Sequence, residues 1–191
     1  RGLRDHRHLM TLEPSRIILA RRRAGLPKTA LARAAGVAPR TVTTWESKGA
    51  PSARLSDIAG ATGMPAEFFS GGAIDLLEED RIFFRARRRS PSALLHRSAA
   101  FGSLGIGFYD SIRRRFRTPA LSMPEAEPGD SPRQAARALR LAWRMGMGPA
   151  PNLVQLAEAH GIRVLGIPLA DAAVDVFSFW APDGRPFVFL S

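Results

Sequence analysis

The sequence predicts a mainly α-helical protein that ends in a small α+β part. Three observations support this fold class: five short segments with helical apolar spacing between residues 14 and 70, a longer helical segment from residue 92, and three strand-like runs in residues 162–190. The chain has 191 residues and 45% of them are hydrophobic. It is therefore long enough and apolar enough to fold into one or two small domains.

Five short helices are expected in residues 14–70, because prolines stand where helices begin and glycines where they end. Pro14 and Pro39 fit the first turn of a helix, and Gly25 and Gly36 fit the position after the last turn. The expected helices cover residues 14–24, 28–35, 39–46, 52–62 and 64–69. Their apolar faces are expected to include Ile17, Ile18, Ala20, Leu31, Ala34, Ala35, Val42 and Trp45.

Residues 71–130 are expected to be a basic helical connector that ends in a Pro-rich loop. The boundary is predicted at Ser70–Gly72, and a basic segment follows over Ile82–Arg89. A long helix is expected over Ser92–Phe116. It contains glycine at positions 102, 105 and 107. Each glycine destabilises a helix by about 1 kcal/mol relative to alanine, so we expect either a break or close packing there.

Residues 131–191 are expected to form two helices followed by three strands. Ser131 and Asn152 are suited to cap the two helices, and Pro182–Gly184 is a predicted turn between the last two strands. The expected elements are the helices Pro132–Met145 and Leu153–Ala159 and the strands Ile162–Leu165, Val174–Trp180 and Phe187–Leu190. This αα-βββ order predicts part of an α+β domain.

The basic residues are concentrated in the first three-fifths of the chain. The whole chain has 28 Lys and Arg against 17 Asp and Glu, a formal charge of +11. Residues 1–118 contain 22 of the basic and 10 of the acidic residues, whereas residues 119–191 contain 6 and 7. Such an asymmetry predicts that one part of the protein binds a polyanion and that the other part has a different role.

The composition excludes several other classes of protein. Because there is no cysteine, disulfides, thiolate zinc sites and cysteine nucleophiles are excluded. No apolar run approaches the roughly 20 residues that span a bilayer, and no signal peptide opens the chain. We therefore expect a cytoplasmic protein with no membrane partner and no cofactor. Residues 1–13 are expected to be a tag or a disordered extension.

The strongest functional signal lies between Lys28 and Gly49. A helix-turn-helix motif needs a glycine in its turn and small, polar residues at the start of its second helix, which enters the major groove of DNA. Gly36 supplies the turn, while Val42 and Trp45 would face the core. The residues that would face the groove are Pro39, Arg40, Thr41 and Thr44.

Residues Leu26–Ser52, LPKTALARAAGVAPRTVTTWESKGAPS, resemble the XRE-family helix-turn-helix, and the resemblance covers residues 14–70. It implies a sequence-specific transcriptional regulator of double-stranded DNA, a repressor of prophage or stress genes that associates with the nucleoid. Arg40 would contact guanine, with Thr41, Thr44 and Pro39 beside it on the bases. Phosphate contacts are implied for Lys28, Thr29 and Lys48. Trp45 and Glu46 match structural positions of the family.

Two basic runs, Arg85–Arg89 and Arg113–Arg117, have two interpretations. They could reach phosphates that flank the site, with Arg87 and Arg88 as the contacts, or they could be solvated helix faces. A two-fold homodimer would be needed to recognise a palindromic site.

Residues 131–191 resemble the opening of an ImmA/IrrE-type, metallopeptidase-like domain, chiefly in NLVQLAEAHG (152–161) and in DVFSFW and GRPFVFL (175–180 and 184–190). The resemblance implies that the strands lead into a helix with an HExxH motif, in which two histidines bind zinc. The chain has no such motif; its histidines are His6, His8, His96 and His160. We therefore expect no catalytic residue and no metal site, and we expect His160 to end a helix.

Two alternatives to a DNA-binding regulator stay open at this point. The chain could be a zinc metallopeptidase of the ImmA/IrrE type that is truncated before its catalytic helix. It could also be an adaptor that binds other proteins through exposed aromatic side chains, which would otherwise form a core. The aromatic residues in question are Phe177, Phe179, Trp180 and Phe187.

Overall fold

The structure, a computed structural model, describes most of the chain and is mainly α-helical with a small β part, as the sequence predicts. The described residues are 11–86, 92–125, 127–146, 148–150, 152–168 and 174–191, with the backbone alone at 85, 86, 174 and 175. They form two compact units. The first extends to Ile82 and includes Ala86–Gly107; the second comprises Phe83–Arg85 and Phe108–Ser191.

The first unit begins with a cluster of short helices that matches the predicted order. Its α-helices are α1 (Pro14–Arg23), α2 (Lys28–Ala34), α3 (Pro39–Lys48) and α4 (Leu55–Thr62). The predicted fourth helix starts as a 3₁₀ turn over Ser52–Arg54, and the predicted fifth is a 3₁₀ helix over Ala66–Ser70. Pro14 and Pro39 both stand in the first turn of a helix, as expected.

The core of this helical cluster contains a fully buried residue from each of the four helices: Ile17, Leu31, Val42 and Ile58. Two details of the predicted apolar faces are wrong. Leu19 is fully buried and Ile18 is only half-buried. Ala32 is buried and Ala34 is exposed. Ile18 and Leu19 stand in an uninterrupted apolar run, and Ala32 and Ala34 in an alanine-rich segment broken only by Arg33, where spacing alone does not select a face.

The segment before α1 is ordered by a short strand pair. Strand β1 (Thr11–Leu12) pairs antiparallel with β2 (Ala50–Pro51), and the Leu12 side chain is buried. The expectation of a disordered extension is therefore wrong for Thr11 and Leu12, while residues 1–10 lie outside the described part. Gly49 permits this pairing: its φ is +90°, and a Cβ there would stand 2.6 Å from the Leu12 carbonyl oxygen.

Much of the expected connector belongs to the first unit. Leu77 and Ile82 are buried, and the Leu77 N–H donates to the Ser103 Oγ at 2.9 Å. Helix α5 (Ser92–Arg113) runs without a break through its glycines, and Gly102 and Gly105 are buried. Close packing, one of the two expected outcomes, is thus confirmed and a break is not. The helix ends at Arg113, three residues before the predicted end at Phe116.

The second unit combines two helices with a four-stranded mixed sheet. The helices are α6 (Pro132–Ala142) and α7 (Leu153–Ala159), and the strands are β3 (Phe83–Ala86), β4 (Arg163–Gly166), β5 (Val174–Trp180) and β6 (Pro186–Leu190). The strand order is β3-β5-β6-β4, with β5 antiparallel and β4 parallel to β6. Strand β3 was not predicted, because its residues are part of a run that was interpreted only as basic.

The predicted helix caps of the second unit are confirmed. Ser131 and Gln134 form a capping box at the start of α6, and the Asn152 side chain accepts the Gln155 N–H at 3.1 Å. Helix α6 ends at Ala142, earlier than the predicted Met145. The reason is local, because Arg144 adopts a left-handed conformation with φ of +54°.

Phenylalanines form the core of the second unit. Phe177, Phe179, Phe187 and Phe189 are fully buried on the central strands, and their rings stack at centroid distances of 4.6–6.2 Å. Three of the four aromatic residues considered for an adaptor are therefore core residues. Trp180 alone of that set is exposed, at 49%. Among the described helices, none is long and apolar enough to cross a bilayer.

Candidate nucleic-acid interface

The turn between α2 and α3 is built around Gly36. Its φ of +65° lies in the left-handed region that glycine adopts without strain. The Gly36 N–H donates to the Arg33 carbonyl at 3.2 Å, and the Val37 N–H donates to the Ala32 carbonyl at 2.9 Å. These two bonds form a Schellman motif, which ends α2 and redirects the chain into α3. The predicted role of Gly36 is confirmed.

Helix α3 has a buried face and an exposed face. Val42 is fully buried and Trp45 is 4% exposed, as the sequence predicts. The opposite face is exposed at Arg40, Thr43, Thr44 and Ser47, which stand at the i, i+3, i+4 and i+7 positions of one helical stripe. The helix therefore packs on α1 and α2 by one side and presents a polar stripe to solvent on the other.

The predicted base-contacting residues lie on or beside this stripe. Pro39, Arg40 and Thr44 are exposed, and Thr41 is half-buried. The Thr44 hydroxyl donates to the Arg40 carbonyl at 3.1 Å, so its methyl group and an oxygen lone pair remain on the outer surface. Sequence reasoning missed Thr43 and Ser47. The helical spacing from Arg40 could have found both of them.

Glu46 is the centre of a buried ion cluster. Its carboxylate accepts from Arg21 Nε at 2.5 Å and Nη2 at 3.3 Å, and Lys28 Nζ lies 3.2 Å from its Oε2. The Glu46 side chain is only 7% exposed. Arg21 Nη1 also donates to the Leu26 carbonyl at 2.8 Å. One carboxylate thus connects α1, the start of α2 and the end of α3, which fixes the orientation of α3.

The predicted phosphate contacts have different surroundings. Thr29 and Lys48 are exposed. Lys28 is paired with Glu46, but 42% of its side chain is exposed, so its other ammonium donors can reach a further acceptor. Arg87 and Arg88 lie outside the described residues.

The segment that contains α1, α2 and α3 is strongly basic. Between Pro14 and Lys48 the sequence has eight basic residues and one acidic residue, Glu46. That single carboxylate is buried and neutralised by Arg21 and Lys28. Helices α2 and α3 therefore expose cations, including Arg33 in the last turn of α2, with no exposed carboxylate among their own residues.

His160 has a structural role at the end of α7. It is the C-cap residue, and its imidazole stacks on the Trp143 indole at a centroid distance of 4.3 Å. The expectation that it ends a helix is confirmed. Within the described part of the chain, no three His, Asp or Glu residues are grouped as metal ligands.

Comparison of the chain with protein-family models, with curated proteins and with solved structures finds no match. The two family resemblances noted in the sequence therefore stay predictions.

Proposed function

We propose that the first unit binds double-stranded DNA in a sequence-specific manner and that the protein regulates transcription as a repressor. The observation that carries this proposal is the polar stripe of α3, which presents Arg40, Thr43, Thr44 and Ser47 on a helix fixed by a buried ion cluster. An α-helix is about 10–12 Å wide with its side chains, and the major groove of B-DNA is about 12 Å wide. Helix α3 is the recognition helix in this account.

Arg40 makes the principal base contact in this proposal. It stands in the first turn of α3, beside Pro39, and its side chain is exposed. A guanidinium matches the O6 and N7 acceptors of guanine with two parallel hydrogen bonds. The threonine methyl groups at 43 and 44 suit the C5-methyl of thymine, and their hydroxyl oxygens can accept from donors on base edges.

The cations of α2 and α3 hold the duplex by its phosphates. Lys28, Arg33 and Lys48 leave exposed charge on α2 and on α3, the helix of the polar stripe, and Thr29 adds a hydroxyl donor. These contacts give affinity and orientation without sequence information. The buried Glu46 matters here because an exposed carboxylate on this face would repel phosphate. Recognition of a palindromic operator would use two copies of the protein.

We expect the affinity for duplex DNA to fall steeply with salt. Each cation that neutralises a phosphate contributes a slope of about −0.9 to the plot of log K against log salt, so Lys28, Arg33 and Lys48 predict a slope of about −2.7 for each bound protomer. Fluorescence anisotropy with a labelled duplex from the upstream region of the gene, at several salt concentrations, measures it.

Two matched variants sharpen this test. Lys48→Gln should reduce the slope by about one, whereas Arg137→Gln, which removes an exposed charge from α6, should leave it unchanged. A flat salt response, or an equal change of slope in both variants, would show that α2 and α3 do not contact phosphates.

A further inference from the structure

The second unit contains a cavity of about 340 Å³. Its walls come from the end of α5, the loop at residues 118–119, the end of α7 with the start of β4, and the turn between β5 and β6. Ile112, Pro119 and Ile162 make much of the lining apolar. This volume is near the lower end of the range for small-molecule sites, about 300–1,000 Å³.

Arg163 is a buried cation in the wall of this cavity. The residue is 3% exposed, and its guanidinium lies 5.3 Å from the Tyr109 ring centroid and 4.9 Å from that of Phe187. Its Nη2 donates to Asp183 Oδ2 at 2.6 Å. Within the described part of the chain, the buried Nε has no hydrogen-bond partner.

Arg185 and Tyr109 add further donors to the lining. Arg185 is half-buried, and its Nη1 donates to the Pro119 carbonyl at 2.6 Å. Burial raises the pKa of Tyr109, and the negative charge of Glu158 raises it further, against the opposing effects of Arg163 and a backbone hydrogen bond at Val164. The phenol therefore keeps its proton at neutral pH and can donate it in a hydrogen bond.

The loop side of the cavity is held in place by close backbone packing and by two hydrogen bonds. Gly161 has a φ of +82°, and a Cβ there would stand 2.6 Å from the Ala120 carbonyl oxygen, so only glycine lets the loop approach. The Ser122 N–H donates to the His160 carbonyl at 3.0 Å, and Trp143 Nε1 donates to the Ser122 carbonyl at 2.7 Å. The wall is thus formed before any ligand binds, which lowers the entropic cost of binding.

We propose that this cavity binds a small molecule with an apolar body and a single carboxylate group. The carboxylate would accept from Arg185 and from the Tyr109 hydroxyl, and the apolar body would contact Ile112, Pro119 and Ile162. A cationic ligand would be repelled by the Arg185 guanidinium, whereas the charge of Arg163 is already balanced by Asp183. A second negative charge on the ligand would be repelled by the carboxylate of Glu158, which also lines the cavity. Occupancy of this cavity is measurable without DNA and is independent of the function proposed for the first unit.

The test uses the full chain and a set of aliphatic and aromatic monocarboxylates of about four to nine carbons, each beside its primary amide. Backbone amide shifts of Gly161, Ile162 and Arg163 are followed by ¹H–¹⁵N NMR. We expect saturable shifts with a dissociation constant of about 1 mM or lower for at least one carboxylate, and binding about tenfold weaker for its amide. The proposal is overturned if no carboxylate shifts these amides, or if carboxylate and amide bind equally.

Three variants test whether the preference for a carboxylate arises from the residues that line the cavity. Arg185→Gln should weaken carboxylate binding by about tenfold, and Glu158→Gln, which removes an exposed negative charge, should strengthen it by about threefold. Glu127→Gln, a charge-matched change in an exposed loop, should have no effect. If Arg185→Gln does not fold, the proposal is tested by whether Glu158→Gln strengthens carboxylate binding. Affinity equal to that of the unmodified protein in every variant that folds would contradict the proposal.

Discussion

Replacing Glu46 with alanine is expected to lower the free energy of unfolding of the first unit by about 3–5 kcal/mol. The substitution leaves the Arg21 guanidinium buried without its carboxylate partner, and a buried unpaired charge is far more destabilising than a lost surface pair. It also removes the partner of Lys28. Native-state hydrogen exchange on peptides from α1–α3 measures the change in this unit separately from the other.

The matched control for this prediction is Asp57→Ala. It removes the Arg54–Asp57 pair, whose side chains are 3.1 Å apart and are both more than 40% exposed. Such a surface pair contributes about 0–1 kcal/mol. If Glu46→Ala has no larger effect than Asp57→Ala, the ion cluster does not hold α1, α2 and α3 together, and the fixed orientation of α3 loses its physical basis.

Replacing Phe187 with alanine is expected to lower the free energy of unfolding of the second unit by about 3–5 kcal/mol. The Phe187 ring is 0% exposed, stacks on Phe179 at 5.0 Å and meets Tyr109 edge to face at 5.4 Å. It also packs against the Arg163 guanidinium. Alanine would leave a cavity beside the start of β6 and remove these ring contacts.

Hydrogen exchange on peptides from β5 and β6 measures this change, and Phe116→Ala provides the control. Phe116 is the same residue type but is 67% exposed, so its truncation should alter stability by less than about 0.5 kcal/mol. Equal losses in the two variants would contradict the assignment of Phe187 to the core.

The residues that begin and end helices in the sequence predicted most of the helices correctly. Proline at 14 and 39, glycine at 36 and the caps Ser131 and Asn152 act within one helical turn, and each has the expected role. The buried pair of Val42 and Trp45 on α3 follows from helical spacing in the same way.

What the sequence did not predict depends on contacts between distant residues. Arg21 and Glu46 are 25 residues apart, so nothing in the local pattern indicates that they pair. Strand β3 has only four residues and exists because it pairs at an edge of the sheet. In α5, glycines that weaken an isolated helix are retained because Gly102 and Gly105 are buried by packing. In each case tertiary structure overrides local propensity.

In the candidate interface, too, some features follow from the local sequence and others depend on contacts between distant residues. Arg40, Thr44 and their side of α3 could be named from spacing alone, and Thr43 and Ser47 could have been added by extending it. The neutralised Glu46, which leaves α2 and α3 without an exposed carboxylate, required the structure.

The measurement that tests DNA recognition most directly is selection of duplexes from a random pool by the unmodified protein and by Arg40→Ala. Arg137→Ala, which removes one exposed charge from α6, is the control. We expect the unmodified protein and the control to select the same sequence, which contains a guanine that Arg40→Ala no longer prefers. Arg40→Ala should also lose about 1–3 kcal/mol of binding free energy on that sequence. If Arg40→Ala selects the same bases with the same affinity, α3 is not the recognition helix.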